Sequence, residues 1–280
     1  MQHGAVRCLS PAGFHRMAYV QWGPAGRDDP IICVHGLTRN ARDFDRLAVT
    51  LSESRRVICP DVVGRGQSAW LADPAHYLPS QYTVDMTVLM AAAGAAKVDW
   101  VGTSMGGLVG LMLAAMPNSP IKKLVLNDVG AFLSASALAG LVTGMPAFTY
   151  EDRPSAEAGV RQSVSQFGPL TDADLHHLFT HGLVAEAGGR YHRTVDPGIL
   201  TPMRAAPPQD VDLWALWERV RCPVLLIRGE ASTVLTPQTA DRMARTGPRA
   251  HLWEAKGCGH APSLMSADQI AVVRSFLDDG

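Results

Sequence analysis

The sequence predicts an α/β protein: a mostly parallel, doubly wound sheet with a helical segment inserted late in the chain. Three observations carry this. Short runs rich in Val, Ile and Leu alternate with helical stretches through the first 130 residues. Those runs are continuous rather than alternating with polar residues, so their strands are covered on both faces, as in a parallel sheet. The rhythm stops over 131–209 and resumes from 210. Strand–helix repetition of this kind implies right-handed crossovers, with ligands at the carboxyl ends of the strands.

In order along the chain, residues 17–22 read as a strand ending at Gly23, and 31–34 as a second ending at His35 and Gly36. A helix over 43–53 precedes a short strand at 57–59, stopped by Pro60 and Asp61. Residues 81–96 are helical in composition, 98–102 form a strand, and 105–116 a helix that follows it directly. The next strand, 123–126, carries Asn127 and Asp128 at its tip. Residues 131–209 hold three helical pieces, SASALAGLVTGM, SAEAGVRQSVSQF and TDADLHHLFTHGL, then a Pro-rich stretch ending in AAPPQD, with no comparable strand run. Strands at 224–227 and 251–253 and a helix at 267–277 complete the chain. The expected organisation is a core domain of residues 1–130 and 210–280 with a mostly helical cap of 131–209 placed over the strand ends.

Composition narrows the function classes. The 280 residues are 47% apolar and 18% charged, which suits a folded protein with one large core. A net charge of −1 gives no electrostatic case for a nucleic-acid partner or an anionic membrane surface. No apolar run approaches the ~20 residues of a membrane span, and the N-terminal stretch shows no secretory signal. The five cysteines are odd in number and lack metal-ligand spacing; Cys33 and Cys59 sit in apolar runs as small hydrophobes. Reduced thiols point to a cytoplasmic protein whose partner is a small molecule, with its oligomeric state open.

Three motifs carry chemistry. The sharpest is GTSMGG at 102–107, a G-x-S-x-G pattern between an apolar strand and an apolar helix. This is the setting of a nucleophile elbow, in which Ser104 stands at the top of the sheet and at a helix N-terminus. A phosphate loop fits less well, because its lysine is absent. The second is GCGHAP at 257–262, after the last strand, which puts His260 over the strand ends as the base a serine requires. The third is HGLTRN at 35–40, whose glycine frees a backbone N–H. The N–H groups of Leu37 and Met105 are then the expected oxyanion donors. His35 is read as structural, and Asn40 or Asp43 as the cap of the next helix.

HGLTRNARDF, PDVVGRGQS, VGTSMGG, LVLNDVG, PVLLIRGE and GCGHAP, in that order, resemble the α/β-hydrolase fold superfamily over essentially the whole chain. The resemblance is to its serine esterases, lactonases, C–C bond hydrolases and cofactor-free haloperoxidase-like enzymes. It implies a cap between the sixth and seventh core strands, a serine nucleophile, and no metal or organic cofactor. Members with an Asp or Cys nucleophile are set aside, because position 104 is Ser.

One departure matters. The family's pattern implies a triad acid at position 233, in the loop RGEASTVLT, and this chain has Thr233. A threonine cannot balance an imidazolium, and loss of the acid costs such enzymes about 10⁴ in rate. The resemblance offers Asp128, at the end of the sixth strand, as a displaced acid. Its competing role is a turn residue in N-D-V-G. Glu230, in the right loop but early in it, and the absence of any carboxylate partner both stay open.

Met145, Phe148, Phe167 and Trp214 are candidates either for an acyl pocket or for packing of the cap. His176, His177 and His181 read as a solvated helix face rather than a metal site, since no Glu follows as in H-E-x-x-H. The expected activity is cleavage of a carboxylic ester or lactone through an acyl-enzyme, with Ser104, His260 and Asp128 catalytic. The alternatives are a C–C bond hydrolase of vinylogous diketones using the same Ser and His, or a degenerate ligand-binding member that lacks the acid.

Overall fold

Eight strands form a single large sheet in the computed structural model of the protein, which describes residues 1–24 and 29–279. They are β1 (Gln2–Ser10), β2 (Gly13–Trp22), β3 (Ile31–Val34), β4 (Val57–Pro60), β5 (Val98–Thr103), β6 (Ile121–Asn127), β7 (Val224–Gly229) and β8 (His251–Ala255). Their order across the sheet is β1-β2-β4-β3-β5-β6-β7-β8. The β1–β2 and β2–β4 pairings are antiparallel. All pairings from β4 to β8 are parallel, as the unbroken apolar runs require.

The longer helices are α1 (Asp45–Leu51), α2 (Pro79–Ala92), α3 (Met105–Ala114), α4 (Ala135–Thr143), α5 (Arg153–Ser163), α6 (Asp172–Gly182), α7 (Pro237–Arg245) and α8 (Ala267–Asp278). They split between two apolar layers. Residues of α2, α3 and α7 pack with Ile32, Val34, Leu124, Leu126 and Leu226. Residues of α1 and α8 pack with Ile31, Cys33, Val125, Leu225 and Ile227. Successive strand residues thus enter opposite layers, which is the two-residue period of a strand buried on both faces.

Four points differ from the sequence reading. β1 was not expected: it lies at the sheet edge with only Cys8 and Ser10 buried, so its sequence carries little apolar signal. The helix expected at 43–53 begins as a 3-10 turn, Ala41–Phe44, capped by the Asn40 side chain accepting from the Arg42 N–H. α2 starts earlier and stops earlier than 81–96, because Pro79 suits a first helical turn and Gly94 adopts φ +65° two residues past its end. Finally, the inserted segment is not purely helical. α4, α5 and α6 fall on the three helical pieces, but Thr149–Tyr150, Tyr191–Arg193 and Leu183–Ala185 form a small antiparallel sheet. Phe132–Leu133 also pairs with Val211–Asp212, clasping the two ends of the segment. Strands of two or three residues leave no run for a pattern to detect.

The segment is fastened to the core by hydrogen bonds from several loops. Gly66 N–H donates to Thr194 O at 2.7 Å, Asn40 Nδ2 to His181 O at 2.8 Å, and Gly259 N–H to Gln166 O at 2.7 Å. It therefore sits beside the loops that follow β3, β4 and β8.

Candidate active site

Ser104 occupies the turn between β5 and α3 with φ 50° and ψ −112°. A non-glycine residue with positive φ in so sharp a turn is strained, and the surroundings must hold it. Ser104 N–H donates to Asn127 O and Ser104 O accepts from Leu108 N–H, both at 2.9 Å. The turn needs glycine where backbone meets backbone: a Cβ on Gly106 would stand 2.0 Å from the Val34 carbonyl oxygen.

His260 lies over this turn. Its Nε2 is 2.9 Å from Ser104 Oγ, and its Nδ1 is 2.6 Å from Asp128 Oδ2. A ring nitrogen facing a carboxylate carries the proton, so Nδ1–H donates to Asp128 and Nε2 is left to accept from the serine. The His260 loop is held by Gln166 of the inserted segment, whose Oε1 accepts from His260 N–H at 3.0 Å.

Asp128 is wholly buried, and its backbone has φ 58°. Its carboxylate also accepts from Gly229 N–H at 2.8 Å and from Ser232 Oγ–H at 2.6 Å. The expected alternative for Asp128 was a turn satisfied by local N–H groups. Its acceptors are instead filled from β7, the following loop and His260, each about a hundred residues or more along the chain. Ser232, which sequence reasoning passed over, is fixed in turn by accepting from the Val234 and Leu235 N–H groups. Thr233 is exposed beside His260 at a cavity wall. Glu230, the other carboxylate considered, accepts from Gly257 N–H at 2.9 Å and so braces the start of the histidine loop instead.

The HGLTRN loop faces Ser104 from β3. His35 is buried; its Nε2 accepts from Val62 N–H at 3.0 Å, so Nδ1 bears the proton and donates to Gly36 O at 2.7 Å. Burial drives its pKa down to about 4, in keeping with a neutral ring. Arg65, fully buried, donates from Nε to Leu37 O at 2.8 Å. These two side chains pin the carbonyls on either side of the Leu37 N–H. Among the described residues neither Leu37 N–H nor Met105 N–H has a protein acceptor, so both are available to an incoming oxygen. Arg65 gave no sequence signal beyond its place in PDVVGRGQS.

A cavity of about 330 Å³ joins Ser104, His260 and the loop to the inserted segment. Met145 and Phe167 line it, whereas Phe148 and Trp214 pack on the main core. The histidines differ from expectation. Only His176 is exposed; His177 and His181 are half-buried, with rings 4.6 Å apart. His177 Nε2 donates to Arg42 O at 2.8 Å. The Arg42 guanidinium binds Asp45 and approaches His181 Nδ1 at 3.4 Å, so a side-chain cation already occupies that cluster. Burial, then Arg42 and His177, push His181 down to about 4.

The profile of the alpha/beta hydrolase fold matches residues 29–266. The chain belongs to the α/β-hydrolase fold family. This α/β-hydrolase is 39% identical to a 3-hydroxybutyrate-oligomer hydrolase of Cupriavidus necator, over 98% of this chain and 97% of that one. Among solved structures, it resembles a candidate hydrolase from Rickettsia typhi with TM-score 0.91 and 33% identity, covering 99% of both chains. It also resembles an alpha/beta hydrolase from Novosphingobium aromaticivorans with TM-score 0.84 and 34% identity, over 99% of this chain and 98% of that one. Among the described residues no helix is long and apolar enough to cross a membrane.

Proposed function

We propose that this α/β-hydrolase is a serine esterase that cleaves small carboxylic esters through an acyl-enzyme, with short oligoesters of hydroxy acids as the preferred class. The observation that carries this reading is the unbroken chain from Ser104 Oγ to His260 Nε2 at 2.9 Å and from His260 Nδ1 to Asp128 at 2.6 Å. The Cupriavidus relative supports the substrate class.

In this mechanism His260 Nε2 takes the Ser104 proton as Oγ attacks the ester carbon. The Leu37 and Met105 N–H groups receive the oxyanion, a contribution of roughly 3 kcal/mol for each such donor in comparable sites. Asp128 keeps Nδ1 protonated and stabilises the imidazolium. His260 then gives its proton to the leaving alkoxide. Water, deprotonated by the same nitrogen, attacks the acyl-enzyme and restores Ser104. The inserted segment acts as a cap that encloses the acyl group, with Met145 and Phe167 as its apolar wall.

Purified protein should hydrolyse p-nitrophenyl butyrate and 3-hydroxybutyrate dimers, and a fluorophosphonate should label Ser104. A protein that turns over neither ester and takes no label would end the esterase reading.

A further inference from the structure

Arg39 is the one permanently charged side chain among the described residues that line the Ser104 cavity. Arg39 and Ser104 lie on either side of Gly36: a Cβ built on Gly36 would lie 3.8 Å from Arg39 Cγ and 3.9 Å from Ser104 Cβ. The guanidinium is held on one edge only. Nε and Nη2 donate to Asp43 at 2.7 and 2.8 Å, and among the described residues Nη1 has no protein acceptor. The group also lies over the ring of Phe167, 5.6 Å from its centroid, on the cavity wall. A planar fork fixed this way keeps its remaining donors pointed in one direction.

A second arginine adds to the field. Arg193 is 6% exposed and donates from Nη2 to Thr38 O at 3.0 Å. Its Nη1 is buried without a partner, and no carboxylate among the described residues lies within ion-pair reach of it. Burial, followed by the charge of Arg39, lowers Arg193 to about 10. Three guanidiniums, of Arg39, Arg65 and Arg193, therefore border the 36–40 loop, against the carboxylates of Asp43 and of Asp61, which accepts from Ala41 N–H at 2.8 Å. The proposed ester chemistry gives this excess positive charge nothing to do, since backbone N–H groups receive the oxyanion. A buried, under-compensated cation is costly in the free protein, and a bound anion offsets that cost.

We infer that Arg39 receives a carboxylate of the substrate, so that the enzyme selects esters carrying a free carboxylate close to the scissile bond. This rests on Ser104 being the nucleophile. A short 3-hydroxyacid oligoester has the required shape. Its free carboxylate lies on the alcohol side of every linkage, and in the terminal linkage only a methine and a methylene separate it from the ester oxygen. Cleavage there adds water across the acyl carbon–oxygen bond: the acyl carbon gains the hydroxyl, and the alkoxide leaves protonated by His260 as the free hydroxy acid. Arg39 thus acts as a specificity residue for the carboxyl-terminal unit, with Arg193 reinforcing its charge.

The test compares the 3-hydroxybutyrate dimer as free acid with its primary amide, which removes the negative charge and adds no second ester. The unmodified protein should prefer the acid by about tenfold or more in kcat/KM, mostly through KM, as a charge-assisted hydrogen bond would give. In Arg39→Gln that ratio should fall close to one, and Arg39→Lys should retain part of it. A purely structural arginine would lower both substrates alike and leave the ratio unchanged. Equal use of acid and amide by the unmodified protein overturns the inference, even where both are cleaved. Calorimetry on Ser104→Ala protein reads binding apart from turnover: dimer affinity should drop about tenfold when Arg39→Gln is added. Unchanged affinity there also overturns it. Loss of all ester cleavage and fluorophosphonate labelling would instead count against Ser104.

Discussion

Asp128 accepts hydrogen bonds from Gly229, Ser232 and His260 in a fully buried position. Replacing it with Asn keeps the shape but offers no charge for an imidazolium. Asp128→Asn should lower kcat for p-nitrophenyl butyrate by about 10⁴, or roughly 5 kcal/mol at ~1.4 kcal/mol per decade. Steady-state kinetics checks this, and a loss under tenfold would argue that His260 works unaided. Thr233→Asp offers a second carboxylate beside an occupied one, so it should raise kcat by no more than about twofold. A large gain would mean the chain lacks its acid. Ser232→Ala removes one of three donors to Asp128 while the other two remain, and should cost about tenfold in kcat.

At the scale of elements, α3 lies unusually close to β3 and β5. The Cβ of an alanine at Gly106 would meet the Val34 carbonyl oxygen at 2.0 Å, and backbone cannot yield as a side-chain tip can. Gly106→Ala should therefore destabilise the protein by roughly 3 kcal/mol or more, read from the urea midpoint. A midpoint unchanged from the parent protein would show that strand and helix separate more easily than their packing suggests.

For the whole molecule, pH should act through groups buried in the form that folding favours. His35 has its pKa lowered from 6.5 to about 4, chiefly by burial. Folding therefore favours the neutral ring. The stability this contributes is present above the unfolded value of 6.5 and is lost as pH falls through 4. The full loss is on the order of 3 kcal/mol. His181 shifts in the same direction, to about 4. Asp61 and Asp85, whose carboxyls burial raises, take up protons more readily when folded and offset part of the loss. Urea midpoints between pH 7 and 4 should fall, and His35→Asn should flatten that slope from a lower starting stability. An identical slope in the variant would remove His35 as a cause.

The sequence by itself determined the alternation of strands and helices in the core from β2 onward, the parallel sheet, and the places of Ser104 and His260 at the ends of their strands. Each of these follows from constraints confined to a short window. A strand buried on both faces must be apolar throughout, and a tight strand-to-helix turn must have glycines. A loop between strand and helix must end at the strand tips. What only the tertiary structure decided was which carboxylate meets His260. The family's pattern put the acid at position 233, where this chain has Thr, and the sequence offered Asp128 while leaving Glu230 or no carboxylate open; the 2.6 Å contact comes from Asp128 on the neighbouring strand, held by Gly229 and Ser232. It also decided that β1 joins the sheet, that Gln166 of the inserted segment carries the His260 loop, and that Arg39 lines the cavity of Ser104. The physical reason is common to all four. These contacts join side chains and edges far apart in sequence, whose residue types are ordinary where they stand and acquire meaning only from what the fold brings against them.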